Sequence, residues 1–332
     1  MIKFFRTIRY NLMETGKTGK YFKYAIGEIV LVVIGILIAL QINNWNTNRA
    51  NEKQAYNQLR EVQKEILYNI EEFDRTSTFY YEKLRWLRLV FSDSLTLEDY
   101  QKNGGELREI MGTSSSIETQ NEAFKKLAEN ADNLPDQYKP LIPELKRLYN
   151  PVRFEGSRER IREHMKKYFN LISEFSESYY REDYDPLYQF LLTSKDYKNL
   201  LVRFCWNLDD LAPELNRKKY HAITLYNQMV ALGFPNDGEE ILKPMFQELS
   251  PQKAEPFVGL YTNARDTISL HYNNNRFMGY NSQFDLSDQI IIKDSTTLVF
   301  YGHYLEFNDE KSEFYYLLEE NKPIFKRIVE ND

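Results

Sequence analysis

The sequence predicts an α+β fold in three parts: a single N-terminal transmembrane helix, an irregular α-helical bundle, and a small C-terminal antiparallel β-barrel or curved meander. Three observations support this fold class. Residues 25–42 are almost entirely apolar, apolar residues then recur at helical spacing to about residue 249, and a period of two follows after Pro256. We therefore expect a basic tail at 1–24, a membrane anchor at 25–45, a helical domain at 46–249 and a β domain at 256–332.

The anchor is predicted from eighteen residues, AIGEIVLVVIGILIALQI at positions 25–42, whose one charge is Glu28. At a rise of about 1.5 Å per residue, such a helix spans roughly 27 Å, which is close to the hydrocarbon thickness of a bilayer. A cleaved signal peptide would have a shorter apolar core and a cleavage site of small residues. The sequence therefore predicts an uncleaved signal anchor that holds residues 25–45 in the lipid bilayer.

The flanking residues predict the orientation of this anchor. Six basic residues precede it, and fewer follow it within the next twenty positions. Basic segments next to a span remain in the cytoplasm. The six are Lys3, Arg6, Arg9, Lys17, Lys20 and Lys23. We expect a cytoplasmic N-terminus and an extracytoplasmic body.

Aromatic residues are typical of the two bilayer surfaces, where their rings pack at the headgroup level. Tyr21, Phe22 and Tyr24 precede the apolar run, and Trp45 follows it. We interpret these four residues as interface anchors.

Small residues lie on one face of the predicted span. Gly35 and Ala39 are four positions apart, and Gly27 falls on nearly the same face. Such residues allow two membrane helices to approach closely, so they predict helix association and a homodimer; the alternative is that they are simply common in such helices. Glu28 is a candidate functional carboxylate, or it reaches water or pairs with a lysine near the end of the span.

The first 45 residues carry a resemblance. They contain MIKFFR at 1–6, IRY at 8–10 and KTGKYFKYAIGEIVLVVIGILIALQINNW at 17–45. This block resembles the opening of an uncharacterised family of single-pass inner-membrane proteins of Bacteroidetes-type bacteria. The resemblance implies a bacterial inner-membrane protein with a periplasmic body, and it supplies no activity and no functional residues.

Charge and cysteine content limit the partners. The first 45 residues hold six of the 43 basic and two of the 49 acidic residues, which leaves a body with a net charge of about −10. Nucleic acids and anionic membrane surfaces require a positive face, so neither is expected as a partner of the body. Cys205 is the one cysteine, and its neighbours Phe204 and Trp206 predict a buried thiol.

The helical part begins with a stripe at three- and four-residue steps, which predicts a stalk helix that continues out of the membrane, as a coiled coil or as the first helix of a bundle. The stripe is Tyr56, Leu59, Val62, Ile66, Ile70 and Phe73. A break is expected near Thr76–Thr78, and Thr119 with Glu122 predicts a capping box. Further helices are expected around 145–148, 158–175, 186–192, 197–211, 214–232 and 239–249.

The β part is predicted as eight short strands separated by turn residues, in an up-and-down barrel or a strongly curved meander. The expected strands are 258–262, 267–272, 276–280, 289–293, 298–301, 304–307, 313–319 and 323–329. The runs PFVGLY at 256–261 and ISL at 268–270 resemble the lipocalin-like domain appended to many secreted bacterial serine hydrolases. Barrels of this size are usually filled by side chains, and an interior ligand site is the alternative.

No catalytic, cofactor-binding or metal-binding residue is predicted. Gly16-Lys17-Thr18 lacks the upstream glycine and strand of a phosphate-binding loop. Ser250-Pro251-Gln252-Lys253 and Lys17-Thr18-Gly19 match motifs of penicillin-recognising enzymes, but they would lie on opposite sides of the membrane.

Histidines and paired acids offer weaker candidates. The histidines are His164, His221, His271 and His303. None has a second ligand at useful helical spacing. His271 and His303 would converge only if the strands that carry them are neighbours, and a histidine on the barrel surface is expected rather than a metal ligand. The acid groups are Glu182, Asp183 and Asp185, and Asp209 with Asp210. Solvated helix ends explain these carboxylates at least as well as acid/base or calcium chemistry.

Three functions remain open. The expected one is a non-catalytic periplasmic scaffold or accessory protein, anchored beside a protein partner in or near the inner membrane. The alternatives are a periplasmic small-ligand sensor that acts through a membrane partner, which requires an apolar cavity with convergent polar groups, and a hydrolase with an unrecognised site.

Overall fold

The computed structural model describes residues 7, 10, 18–92, 94–150, 154–245, 249–273, 276–316 and 324–328. It confirms the predicted fold class: a long apolar N-terminal helix, a helical region, and a C-terminal antiparallel sheet that is nearly closed into a barrel. The chain divides into two units, Met1–Arg60 with Lys126–Pro140, and Glu61–Lys125 with Leu141–Asp332.

Helix α1 spans Thr18–Phe91 and carries the apolar run and the stalk in one element of 74 residues. The break expected near Thr76–Thr78 is wrong. Ser77 Oγ donates to the carbonyl of Asp74 at 3.2 Å, and Thr76 Oγ1 lies 3.5 Å from Ser115 Oγ. Both buried side-chain hydroxyls find hydrogen-bond partners while the helical backbone continues. They therefore do not interrupt the helix.

The stalk stripe faces a core. Val62, Ile66 and Ile70 are fully buried, and Phe73 is 3% exposed. This part of α1 is therefore the first helix of a bundle in the second unit, as one of the two sequence alternatives predicts.

Among the described residues, the other helices are short except for two. They are α2 (Leu97–Lys102), α3 (Gly104–Arg108), α4 (Glu122–Ala128), α5 (Leu141–Leu148), α6 (Phe154–Ile172), α7 (Ser176–Arg181), α8 (Asp185–Thr193), α9 (Lys195–Ala231), α10 (Glu239–Leu242) and α11 (Pro251–Ala254), with 3₁₀ turns at Ala131–Asn133, Ser173–Phe175 and Glu255–Phe257.

The interruption expected between residues 211 and 214 is wrong, because α9 continues through Pro213. Leu211, Ala212 and Leu215 around the proline are buried, and their packing offsets the hydrogen bond that proline cannot make.

The capping box expected at Thr119 and Glu122 does not form, because α4 begins at Glu122 itself. Its first amides are bound by α1 instead: Ala123 N–H donates to Glu65 Oε2 at 2.7 Å and Phe124 N–H to Glu65 Oε1 at 3.3 Å. A distant carboxylate thus replaces the local cap.

In the described part of the C-terminal region, the sheet contains nine antiparallel strands in the order β4-β3-β2-β1-β9-β8-β7-β6-β5. They are β1 (Gly259–Thr262), β2 (Thr267–Asn273), β3 (Arg276–Asn281), β4 (Leu286–Gln289), β5 (Ile291–Ile292), β6 (Thr297–Phe300), β7 (His303–Phe307), β8 (Glu313–Tyr316) and β9 (Phe325–Arg327). The first and last strands pair, with Tyr261 opposite Arg327, as in an up-and-down barrel.

The sheet is nearly closed at Ile290. Ile290 N–H donates to the carbonyl of Phe277 on β3 at 2.8 Å, whereas the next residue, Ile291, pairs with Val299 on β6. One bent segment therefore leaves β3 and joins β6. The sequence predicted this segment as a single strand at 289–293, and the structure divides it into β4 and β5.

The described interior of the barrel is filled by side chains. Its core includes Tyr261, Phe277, Phe300, Phe307, Phe314 and Phe325. The rings of Phe314 and Phe325 stack with centroids 4.8 Å apart, and Phe307 lies 4.8 Å from Phe314. Aromatic packing thus occupies the space that a ligand would take in a larger barrel.

Candidate functional site

The apolar segment of α1 is exposed. In the described part of the chain, one helix is long and apolar enough to cross a membrane, with a window of mean hydropathy 2.6 of which none is buried. Ile29 is 62% exposed and Leu37 is 58% exposed. A contiguous apolar surface of this kind marks a candidate membrane span.

The residues predicted to face lipid or a second helix are accessible. Gly27 and Gly35 have open space around them, since an added Cβ would meet nothing within 4 Å, and Ala39 is exposed. Phe22 is 62% exposed and Trp45 is 59% exposed. The side chains of Tyr21 and Tyr24 lie outside the described residues.

A second candidate is an open cleft of about 480 Å³ in the second unit, lined by α6, α9 and the β6–β7 hairpin. We call it the hairpin cleft. It is lined by Gly156, Ser157, Arg160, Asp209, Asp210, Leu211, Pro213, Glu214, Arg217, Tyr301 and His303.

The hairpin tip is held between α1 and α9. Tyr301 and Gly302 form its two-residue turn, with φ values of +48° and +84°. Positive φ at both positions is typical of a type I′ turn. The Gly302 carbonyl accepts hydrogen bonds from Tyr81 Oη at 2.6 Å and Asn216 Nδ2 at 2.9 Å. The sheet is thereby fixed to two helices of the same unit.

The charges of the cleft are internally paired. The Arg217 guanidinium packs over the Tyr301 ring at 4.4 Å and forms an ion pair with Glu214. Arg160 Nη2 lies 3.6 Å from Asp210 Oδ2, and Arg160 Nε donates to Asn207 Oδ1 at 2.8 Å. Each guanidinium therefore faces a carboxylate of this chain, and Asp209 adds a third carboxylate to the lining.

His303 is uncharged at neutral pH. Burial lowers its pKa to about 4, and the nearby Arg217 acts in the same direction. The strands of His271 and His303 are not neighbours, because β2 and β7 are separated in the sheet by β1, β9 and β8. Among the described residues, no group of three or more His, Cys, Asp or Glu side chains could hold a metal ion.

The other two histidines have structural partners. His164 Nδ1 lies 2.7 Å from the Arg160 carbonyl one turn earlier on α6. His221 Nε2 lies 2.8 Å from Glu144 Oε2. Burial lowers the pKa of His221, although the Glu144 carboxylate opposes this change.

The acid groups separate into two kinds. Glu182 terminates α7 in a left-handed conformation, and Asp185 begins α8 and accepts from Gln101 Nε2 at 2.9 Å. These are helix ends, as the sequence suggested. Asp209 and Asp210 instead lie within α9 and line the hairpin cleft, so their interpretation as a solvated helix end is wrong.

The remaining sequence motifs have local explanations. Ser250 Oγ accepts from Lys253 N–H at 3.3 Å, so Ser250 is the N-cap of α11 and Lys253 lies within that helix. Lys17 lies outside the described residues. Cys205 is buried, as predicted, with Sγ 4.0 Å from Asp209 Oδ2.

Sequence reasoning missed three prominent residues of the cleft: Arg160, Arg217 and Tyr301. The aromatic-glycine pair at 301–302 lies between two predicted strands and indicates a turn, and this local pattern could have pointed to Tyr301. The two arginines lie on helices far apart in sequence, so no local pattern connects them.

Comparison with known proteins gives one partial match. A family of unknown function (DUF6090) matches residues 28–121, less than a third of the chain. The matched stretch runs from the apolar segment through the remainder of α1 to the residue before α4. No curated protein and no solved structure matches the chain. The N-terminal part is therefore similar to a family that has no assigned activity.

Proposed function

We propose that this protein is a membrane-anchored interaction or accessory protein without catalytic activity of its own. Residues 25–45 anchor it in a bacterial inner membrane, residues 1–24 form a cytoplasmic tail, and the body from residue 46 is periplasmic. The observation that carries the proposal is the fully exposed apolar segment of α1, which is continuous in one helix with the buried stripe of the body. The basic residues before the span support the orientation.

Two features of the body support an interaction role. Aromatic side chains fill the described barrel interior, and the arginines of the hairpin cleft are paired with its own carboxylates. The proposal requires a protein partner in or near the membrane.

The direct test is chemical crosslinking of the full-length protein in its native membrane, followed by purification and identification of crosslinked proteins. The control is the same body carried by an unrelated membrane anchor. We expect a stoichiometric partner that is lost or strongly depleted when the anchor is exchanged. Recovery of the protein without any such partner would refute the accessory role.

The orientation has a separate test. A reporter enzyme that is active only in the periplasm, fused after Asp332, should be active, and a reporter active only in the cytoplasm should be silent at the same position. The opposite pattern would show that the body is cytoplasmic and would overturn the proposed localisation.

A further inference from the structure

The corner between helices α7 and α8 of the second unit is both aromatic and acidic. We call residues 173–185 the tyrosine corner; they run from the 3₁₀ turn before α7 to the first residue of α8. These residues contain five acids and one arginine, which gives a local net charge of −4. All five acids are exposed: Glu174, Glu177, Glu182, Asp183 and Asp185.

Aromatic rings lie at the surface of this corner. Tyr180 is 90% exposed, and Tyr179 and Tyr184 are half-buried. Tyr180 therefore contributes little to the packing of its own chain. Tyrosine is enriched in protein-binding surfaces, because its ring offers a large and rigid contact area at a low cost in conformational entropy.

The corner already holds one guanidinium group of its own chain. The guanidinium carbon of Arg108, the last residue of α3, lies 4.5 Å from the ring centroid of Tyr184 and 5.3 Å from that of Tyr179. A carboxylate accompanies these rings, since Arg108 Nε lies 3.4 Å from Glu109 Oε1. The ring faces attract the cation, and the carboxylate pairs with its charge. The exposed surface of the corner offers the same two kinds of group again, in Tyr180 and the five acids.

The arginine of the corner balances only part of this negative charge. Arg181 Nη2 pairs with Glu177 Oε1 at 2.6 Å. Asp185 accepts a hydrogen bond from Gln101, which is neutral. One guanidinium cannot neutralise five carboxylates, and the body as a whole has a net charge of about −10. The charge of the corner is therefore complementary to a basic partner.

We propose that the tyrosine corner is a docking surface for an arginine-bearing basic segment of a partner protein. One arginine of that segment stacks on the Tyr180 ring while its neighbours pair with the exposed acids. Arginine suits this surface better than lysine, because its planar guanidinium stacks on a ring and binds a carboxylate at the same time. The proposal names the chemistry of the partner, and it rests on the proposed interaction role.

The test is a fluorescence anisotropy titration of a labelled hexa-arginine peptide with the full-length protein in detergent. We expect saturable binding, and binding of a hexa-lysine peptide that is weaker by about threefold or more. Equal affinity for the two peptides would show that charge acts without the ring, and absence of saturable binding would show no docking; either result overturns the proposal. Displacement of the peptide by a neutral chitin oligosaccharide would assign the rings to a sugar instead and would also overturn it.

Substitution of the exposed ring locates the contact. Tyr180→Ala should weaken binding of the hexa-arginine peptide about three- to tenfold, because it removes the stacking surface. Tyr180→Phe keeps the ring and should retain the affinity. Trp206→Ala is the matched control, since it removes a ring of α9 that is 61% exposed and lies outside the corner. An equal loss in the Tyr180→Ala and Trp206→Ala proteins would place the peptide elsewhere.

Substitution of two acids tests the charge of the corner. Glu182→Gln combined with Asp183→Asn should weaken binding about threefold or more, because two exposed pairing groups are lost. Glu239→Gln combined with Glu240→Gln is the control, which removes the same charge from exposed positions of α10. If the two double variants lose affinity equally, the peptide follows the total charge of the body and the docking surface is refuted.

Crosslinking in the native membrane separates this proposal from the proposed function. A protein with Tyr180→Ala, Glu182→Gln and Asp183→Asn should lose the stoichiometric partner that the wild type recovers. Full recovery of that partner would refute docking at the corner while the accessory role stands. Absence of any partner for the wild type would refute the accessory role, and the peptide titration would still decide whether the corner binds a basic segment.

Discussion

Gly302 is the residue through which the β6–β7 hairpin contacts the helices. Its carbonyl accepts hydrogen bonds from Tyr81 and Asn216, and its φ of +84° lies in the left-handed region. An added Cβ would overlap the carbonyl oxygen of Pro213 on α9. Both backbone conformation and space therefore require glycine at this position.

We predict that Gly302→Ala lowers the free energy of unfolding by about 2 kcal/mol or more, from backbone strain together with the displaced contact at Pro213. Chemical denaturation of the full-length protein in detergent measures this loss. Gly105→Ala is the control, because its Cβ would meet nothing within 4 Å and it lies in helix α3. That change should be neutral or stabilising, and equal losses in the two variants would contradict the packing argument.

Single residues were predictable where their surroundings are local. The burial of Cys205 is confirmed, although Trp206, one of the two neighbours used to predict it, is 61% exposed. The hairpin cleft and the surroundings of Lys218 were not predictable. Lys218 meets Leu148 and Asn150 across about seventy positions, and this proximity arises only from the tertiary fold.

At the scale of elements, α1 holds an irregular segment, residues 115–120, by side-chain contacts to its backbone. Asn69 Nδ2 donates to the Gln120 carbonyl at 2.8 Å, and Gln120 N–H donates to Asn69 Oδ1 at 2.7 Å. Tyr80 Oη donates to the Ser115 carbonyl at 3.0 Å. Side chains on the helix surface thus supply hydrogen bonds to backbone groups of a segment that has no regular hydrogen-bond ladder of its own.

We predict that Asn69→Ala destabilises the protein by about 1–3 kcal/mol, because it removes both hydrogen bonds between the buried Asn69 side chain and the backbone of Gln120. Asn57→Ala on the exposed side of the same helix is the control and should have no unfavourable effect. Thermal unfolding followed by circular dichroism measures both. A loss at Asn57 as large as that at Asn69 would contradict a specific contribution of the paired segment.

The turn between β5 and β6 depends on an ionised carboxylate. Asp294 Oδ1 accepts from Thr296 N–H at 2.9 Å and Thr297 N–H at 2.8 Å. Although burial alone would raise the pKa of Asp294, these hydrogen bonds lower it below its ordinary value. Because the folded pKa lies below the unfolded one, the stabilisation is complete above about pH 4 and is lost as the pH falls through the folded pKa.

We therefore predict that Asp294→Ala costs about 1 kcal/mol at neutral pH and that its difference from the wild type shrinks as the pH falls below about 4. Urea denaturation across this pH range measures the effect. Asp309→Ala, in the exposed turn after β7, is the control and should have little effect on stability. A constant cost of Asp294→Ala at every pH would exclude a contribution from ionisation.

The sequence predicted the type of most long elements but not their interruptions. The strand meander and the buried stripe of α1 were predicted because apolar periodicity is a local signal. The breaks expected at Thr76–Thr78 and before Pro213 were wrong, because burial on both sides of these positions outweighs their weak helix propensity. The division of β4 from β5 depends on which neighbour each half pairs with, and periodicity contains no such information.

At the scale of the whole molecule, charge and hydrophobicity are unevenly distributed along the chain. Basic residues precede an exposed apolar segment, and a body with a net charge of about −10 follows it. An acidic body is not drawn to an anionic bilayer surface, so the anchor, and not the body, is expected to provide membrane attachment. Close association of two anchors would then bring two bodies together at high effective concentration.

The face formed by Gly27, Gly35 and Ala39 is the expected contact between two such anchors. We predict that combined Gly35→Leu and Ala39→Leu weakens self-association, because the larger side chains separate the helix backbones. Open space around Gly35 means that the change does not disturb the chain's own packing, and leucine favours the helix. Fluorescence energy transfer between labelled full-length copies in bilayers measures association, and Val33→Leu, on the opposite side of the helix, is the control. Undiminished transfer in the double variant would exclude dimerisation through this face.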